Sequence, residues 1–340
     1  MTDKAKTISV SDDEAGMRLD RWLKVHAPAA GHVQVQKLVR TGQVRVDGGR
    51  AKAGQRLESG QDVRLPPGLD RTDGDGGATK KKLYLSPEET EALIERVVYK
   101  DDEVIVLDKP AGLAVQGGTK TTRHLDGMLD LLRFGSKERP RLVHRLDKDT
   151  SGVLVLARTR AAAEFLTRVF GARKARKIYW AAVLGWPRPQ QGLIDVPLAK
   201  RGGPGEEIMT AAIGENAGAD GKPASTFYRV QDHAGDRLSW LVMEPLTGRT
   251  HQLRAHAAHI GVPILGDGKY GDTARVLEGE GEVSESQLHL HARAIHMPHP
   301  RGGTFEATAP LPDHMVKTWA FFGFDERDVS DPFETGHTDS

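Results

Sequence analysis

The stretch His144-Arg145-Leu146-Asp147-Lys148-Asp149-Thr150-Ser151-Gly152, running straight into Val153-Leu154-Val155-Leu156-Ala157, constrains this chain more than any other. It sets a charged, glycine-ended loop against an apolar strand. Gly152 permits backbone angles closed to other residues, and Thr150 and Ser151 can hydrogen-bond nearby amides. The strand fastens the loop to a core, so a carboxylate in the loop is held still. Asp147 is the candidate for chemistry. On this loop alone, Asp147 and Asp149 are more simply read as turn residues whose side chains mimic a backbone turn, and other segments have to decide between the two readings.

At 340 residues the chain has room for two domains, one of them with a substantial core. No run approaches the roughly 20 apolar residues that span a bilayer, and the opening MTDKAKTISV has no apolar signal region. A cytoplasmic protein with no membrane partner is expected. Cysteine is absent, which removes disulfides and thiolate chemistry and leaves catalysis to oxygen and nitrogen groups. The net charge of +1 conceals an asymmetry, because Arg18 to Arg64 holds ten Lys or Arg against four Asp or Glu. A basic module on a near-neutral chain suits an anionic polymer as partner, although a merely solvated basic surface has the same composition.

That basic module, residues 1–66, reads as two short helices and a β-hairpin. The helices are Met17 to Leu23 and Val33 to Arg40, the first strand is Gln43 to Val46, the turn is Asp47-Gly48-Gly49, and Gln61 to Leu65 closes the sheet. Leu19, Leu23, Leu38, Val39, Val44 and Val46 are its expected core, with Arg18, Arg21, Lys37, Arg40 and Arg45 left outside. Residues 67–87 hold almost nothing apolar between Gly68 and Lys82 and read as a flexible linker. The body, 88–322, alternates strand-like runs (Val104 to Leu107, Val153 to Ala157, Ile178 to Leu184, Thr226 to Val230, Leu238 to Met243) with helical ones. Several strands are separated by stretches too short for a crossover helix, so the expected class is α+β with a mixed, largely antiparallel sheet. Gly202 to Lys222 and Ala274 to Ser286 read as surface loops, and 323–340 as an acidic tail.

Three further segments look like site material. Val106-Leu107-Asp108-Lys109-Pro110-Ala111-Gly112-Leu113 is a strand ending in a turn, with Lys109 at its lip either functional or simply solvated. Arg176-Lys177-Ile178-Tyr179-Trp180 places Tyr179 behind a basic cluster with Arg173 and Lys174, which fits a flipped base as well as a core tyrosine. In Leu246-Thr247-Gly248-Arg249-Thr250-His251-Gln252-Leu253-Arg254, Thr250 is the expected N-cap of a helix whose apolar face is Leu253, Ala257 and Ile260. Arg254 projects away from that face, suited to a carboxylate or phosphate but equally to a plain surface helix.

Asp-Lys-Pro-Ala-Gly, His-Arg-Leu-Asp-Lys-Asp-Thr-Ser-Gly, Lys-Ile-Tyr and Gly-Arg-Thr-His-Gln-Leu-Arg, in this order over some two hundred residues, resemble the catalytic domain of the RluA family of pseudouridine synthases. The whole N-terminal segment, with Leu-Asp-Arg-Trp-Leu and Lys-Leu-Val-Arg-Thr-Gly-Gln-Val-Arg-Val-Asp-Gly, resembles the S4 RNA-binding domain. The resemblance implies isomerisation of uridine to pseudouridine without cofactor, nucleotide or metal, most naturally in large-subunit (23S) ribosomal RNA. It implies that Asp147 is the essential carboxylate, that Tyr179 stacks on the uracil and that Arg254 pairs with Asp147. Arg145 would enter the space vacated by an extruded base. His144, Arg249, Lys109 and Leu253, from the same motifs, would line the substrate site. The S4-like module would offer Arg18, Arg21, Lys37, Arg40 and Arg45 to RNA. A monomer is expected.

Three other classes compete with this reading. His251, His256, His259, His289, His291, His296 and His299 invite a metal site, yet no accompanying carboxylate or thiolate pattern completes a usual set. A non-catalytic S4-type RNA-binding or ribosome-assembly factor would have no use for Asp147, Tyr179 and Arg254 together. A glycosidase working through Asp147 and Asp149 would need two carboxylates about 5 to 9.5 Å apart across the bond, and nothing fixes a second one there.

Overall fold

The computed structural model describes residues 5–27, 30–67, 86–117, 121, 123–202, 208–213, 220–271, 286–327 and 333. Most of the expected linker, the loop at 274–286 up to residue 285, and most of the acidic tail lie outside them. The chain forms two units, Met1–Lys82 and Leu83–Ser340.

The first unit comprises β1 (Lys6–Ser9), α1 (Leu19–His26), α2 (His32–Arg40), β2 (Arg45–Val46), β3 (Gly49–Arg50) and β4 (Asp62–Leu65), with the strands ordered β1-β4-β2-β3. Helical spacing turns Leu19, Trp22 and Leu23 inward, and the period of two buries Val63 and Leu65 while exposing Asp62 and Arg64. These meet Val35, Val39, Val44 and Val46 in one core. Leu38, expected in that core, is only partly buried at its edge. Asp47 and Gly48 both have positive φ, 48° and 76°, as a two-residue type I′ hairpin requires. Strand β1 has no apolar alternation to announce it; it forms because β4 offers an edge, pairing from Lys6↔Leu65 to Ser9↔Asp62.

The second unit begins with α3 (Pro87–Glu95), where Ser86 and Glu89 form a reciprocal capping box ahead of Pro87. It continues through β5 (Val97–Lys100), β6 (Val104–Lys109), a 3-10 segment (Leu125–Leu132), β7 (Arg141–Leu142), β8 (Ser151–Ala157), α4 (Arg160–Gly171) and β9 (Arg176–Leu184). Next come β10 (Gln191–Asp195), β11 (Leu198–Arg201), β12 (Ile208–Ala211), β13 (Ser225–Ala234), β14 (Leu238–Pro245) and α5 (Gln252–His259). The last elements are β15 (Leu290–Pro298), β16 (Thr304–Thr308) and α6 (Asp313–Phe322). The main sheet runs β10-β13-β14-β9-β15-β8-β6-β5, with β16 joined to β15 and β7 to β8. It is mixed and mostly antiparallel: β8 and β15 pair in parallel at His291↔Ser151 and Ala292↔Gly152. Part of the expected surface loop from Gly202 is instead β12, which pairs with β11 as a separate hairpin.

Alternation along the central strands assigns the two faces of the sheet. Trp180, Ala182 and Leu184 of β9, with Leu238, Trp240 and Val242 of β14, pack against Met315 and Trp319 of α6. The intervening Ala181 and Val183, with Leu241 and Met243, pack against Leu253 and Ala257 of α5. Both faces are covered, which is why these strands read as continuous apolar runs. Tyr179 falls in the same parity as Ala181 and packs on the α5 side.

Candidate active site

The loop carrying Asp147 is fixed on both sides of that residue. Leu146 is buried in the core, and the carbonyl of Lys148 accepts from the Gly112 amide at 3.0 Å and from Lys109 Nζ at 2.9 Å. Downstream, Thr150 and Ser151 are buried, and Ser151 Oγ lies 2.9 Å from His291 Nδ1. Gly152 has φ +104°, and a Cβ there would fall onto the backbone carbonyl of Ala292 in the parallel partner strand. Glycine is what lets β8 and β15 approach at the loop's root.

His144 fills a gap in the ladder. Beyond Gly152 the edge of β8 leaves β15 and is taken up by β7, at Leu142↔Leu156 and Arg141↔Ala157. Between the two, the Val155 amide donates to His144 Nε2 at 2.8 Å. The ring stacks on Phe170 with centroids 4.3 Å apart. Burial, reinforced by Lys177, pushes its pKa down to about 3, so the acceptor nitrogen stays unprotonated.

A cavity of about 620 Å³ opens beside this loop, within the size range of small-molecule sites. Asp147, Tyr179, Arg254, Arg145, His144, Arg249 and Leu253 all line it. Asp147 is half-buried, and among the described residues no protein group donates a hydrogen bond to its carboxylate. Tyr179 is partly buried, and its phenol pKa is raised by burial and then by the Asp147 charge. It is held as the neutral phenol, a stacking face and a proton donor rather than a ready base. Arg145 is exposed at the rim. Arg249 is anchored through Nε to the Pro223 carbonyl at 3.0 Å. With Arg173 and Lys177, the lining holds five cationic side chains and one carboxylate.

Arg173 and Lys177 belong to the basic cluster beside Tyr179, and the structure brings both into the cavity. Arg173 has φ 58° just past α4, where the Arg173 and Lys174 amides donate back to the Phe170 and Val169 carbonyls. This is the left-handed helix end at which glycine is usual, and a non-glycine residue there is strained. Lys177 is partly buried, which lowers its pKa, with Glu244 opposing the shift.

Lys109 departs from expectation. It does not stand at a lip of the site; it is fully buried, donating to the carbonyls of Pro110 (2.8 Å), Leu113 (3.0 Å) and Lys148 (2.9 Å). Burial pushes its ammonium down to about 8, against the pull of Asp149, Asp147 and Asp108. It is a strut under the Asp147 loop.

Helix α5 also starts differently. Its first flanking residue is His251, at φ 50°, and Thr250 does not cap it. No side chain caps the helix; that of Gln252 instead ties down the turn before it. Its Oε1 accepts from the Arg249 amide (3.0 Å) and Thr247 Oγ1 (2.6 Å), and its Nε2 donates to the Ser225 carbonyl and Thr226 Oγ1. The helix is buried from Gln252 to Ala257, Arg254 included. Arg254 is paired with Asp267, not Asp147: Nε and Nη2 donate to the two Asp267 oxygens at 2.7 and 2.6 Å. Burial works against the Arg254 charge, but Asp267, with Asp147 beyond it, raises its pKa. The ring of Tyr270 lies 5.2 Å from the guanidinium carbon, and its hydroxyl accepts from the Met209 amide at 2.8 Å and sits 3.1 Å from His251 Nδ1. Asp267 and Tyr270 come from Gly266-Asp-Gly-Lys-Tyr-Gly, which has no local pattern pointing to Arg254.

Most of the clustered histidines are engaged in the scaffold. His256 contacts Thr226 Oγ1 and the Val196 carbonyl, His289 contacts Thr318 Oγ1, and His299 pairs with Asp101 at 2.9 Å. Among the described residues no helix is long and apolar enough to cross a membrane.

Comparison with known proteins matches residues 103–259 to the family described as RNA pseudouridylate synthase and 17–63 to the S4 domain. The chain is 33% identical to ribosomal large subunit pseudouridine synthase C of Escherichia coli (strain K12), covering 93% of this chain and 96% of that protein. It is 36% identical to the mitochondrial RNA pseudouridine synthase 4 of Arabidopsis thaliana, over 86% of this chain and 73% of that protein. The solved structure of human RNA pseudouridylate synthase domain containing 4 superposes with a TM-score of 0.58 at 29% identity, covering 69% of this chain and 95% of that one. A mixed sheet, a loop-borne carboxylate in a cationic cavity and two matching domains together make the chain a member of the RluA-type RNA pseudouridylate synthase family, with an S4 domain at its N-terminal end.

Proposed function

We propose that this enzyme isomerises uridines of large-subunit (23S) ribosomal RNA, with Asp147 as the essential carboxylate, Tyr179 stacked on the uracil and Arg254 as its charged neighbour. The observation that carries this reading is the cavity's composition: one carboxylate without a protein donor, the ring of Tyr179 and five cations. The cations suit a polyanion, and the ring suits an unstacked base. The reaction breaks the N1–C1′ bond of uridine and forms a C5–C1′ bond, with a proton leaving C5 and one arriving at N1. Atoms balance within a single nucleotide, so no second substrate is required.

Extruding a base from folded RNA costs a few kcal/mol, and Arg145 at the exposed rim can stack in the space left behind. His144, neutral and bound to the strand, and Leu253 shape the wall; Arg249, Arg173 and Lys177 supply positive potential. Lys109 supports the loop from beneath. In the S4 domain Arg18, Arg21, Lys37, Arg40 and Arg45 are all exposed and supply further positive surface for RNA. Large-subunit RNA is favoured by the E. coli relative, which is similar over nearly the full length of both chains.

Mapping pseudouridine in 23S RNA from cells lacking the protein tests both parts. Positions that lose the modification should regain it with the wild-type chain and not with Asp147→Asn, while purified Asp147→Asn still binds the RNA. Turnover by that variant would refute the role of Asp147, and an unchanged 23S map would move the target to another RNA.

A further inference from the structure

We propose that Asp267 is a positioning residue for the isomerisation: through its two-pronged bond to Arg254 it fixes where that guanidinium stands relative to Asp147. This rests on the reading of Asp147 and Arg254 given above. Asp267 is wholly buried and does not line the cavity, whereas Arg254 and Asp147 both do. The carboxylate therefore acts from behind, on the face of Arg254 turned away from substrate.

The geometry is that of an oriented clamp. Both Asp267 oxygens accept from Arg254, at 2.7 and 2.6 Å, a fork that fixes the plane as well as the place of the guanidinium. Asp267 Oδ1 also accepts from the Lys269 and Tyr270 amides at 3.0 and 3.2 Å, so the carboxylate is itself held by its own turn. Gly266, with φ +75°, comes so close to the Gln287 carbonyl that a side chain there would collide, which pins the turn to the segment before β15. Tyr270 closes the other side, with its ring 5.2 Å from the Arg254 carbon. The fork occupies Nε and one proton of Nη2, leaving three of the five guanidinium N–H groups for the cavity side. Without Asp267, Arg254 would be a buried cation whose strongest remaining attraction is Asp147, and nothing would fix the plane and place of the guanidinium beside that carboxylate.

A double-mutant cycle in the full-length enzyme separates this role from simple support of the fold. Asp267→Asn keeps the oxygen that receives the Lys269 and Tyr270 amides but loses the charge and half the fork. Single-turnover pseudouridine formation on a 23S RNA fragment should fall at least about tenfold in the wild-type background, with RNA affinity unchanged. In an Arg254→Lys background, where no fork can form, the same substitution should cost less than about threefold. Equal losses in both backgrounds, or a wild-type rate in Asp267→Asn, would overturn the proposal. If Asp267→Asn does not fold, Asp267→Glu, which keeps the charge but shifts the fork by a methylene, is carried through the same cycle with the same criteria. A wild-type chain that makes no pseudouridine would instead overturn the functional reading itself.

Discussion

At the scale of single residues, Lys109 carries a testable consequence that follows from its surroundings alone. Its ammonium is wholly buried and bonded to three carbonyls, one of them in the Asp147 loop. Lys109→Met should destabilise the enzyme by about 2 to 4 kcal/mol, because buried acceptors lose their donor, and should lower turnover more than RNA affinity. The pH dependence has a definite sign. Burial lowers the folded pKa from 10.5 to about 8, so between those values the unfolded chain binds a proton that the folded chain has released, and stability rises with pH. The lysine's contribution is greatest above its unfolded pKa and declines as pH falls through about 8. The stability deficit of Lys109→Met, measured by denaturant unfolding, should therefore widen from pH 7.5 to pH 10 (on the order of a kcal/mol per pH unit within the window). A deficit that narrows would show that the amine is not neutralised there. Nothing in Asp-Lys-Pro-Ala-Gly distinguishes a buried lysine from one at a solvated strand end. The distinction arises from the Lys148 carbonyl, which is remote in sequence and adjacent in space.

At the scale of elements, the junction of β8 and β15 is the most exacting point. Gly152→Ala would strain a backbone at φ +104° and press a methyl onto the Ala292 carbonyl, with an expected cost of about 3 kcal/mol or more. Gly235→Ala is the matched control: φ is also positive, +61°, but nothing lies near the added atom, so only the conformational cost of about 1 kcal/mol remains. Thermal melts of the pair should separate clearly, and Gly152→Ala should also lose activity because the Asp147 loop starts there. The strands themselves were readable from the order of residues, because both faces of β9 and β14 are covered and their apolar runs are correspondingly unbroken. Strands β1 and β12 were not: β1 depends on an edge supplied by the remote β4, and β12, paired with the nearby β11, lies in a stretch whose composition reads as loop. The start of α5 is not legible either: Thr250 has the right chemistry for a cap, but the helix begins after His251 at φ 50° with no side-chain cap, and Gln252 binds back to Arg249 and Thr247 in the preceding turn.

At the scale of the whole molecule, charge is distributed between two folded units that belong to different families. In the S4 domain, Arg21, Lys37 and Arg40 are exposed on its two helices. Replacing all three with Glu should weaken RNA binding and flatten its salt dependence, by roughly 2 to 3 in the slope of log K against log salt if each meets a phosphate. Turnover at saturating RNA should stay near wild type. An unchanged salt slope would show that these cations do not meet the RNA. By itself the amino-acid order determined the mixed sheet and the exposed basic residues, because strand parity and turn chemistry are local properties, while the grouping of Asp147, Tyr179 and Arg254 was implied only by the resemblance of their motifs to a family. The tertiary structure alone decided who partners whom: Lys109 with the Lys148 carbonyl, His144 with the Val155 amide, Arg254 with Asp267. Each of these bonds satisfies a buried polar group, and which group is buried beside which is known only once the sheet has closed around the loop.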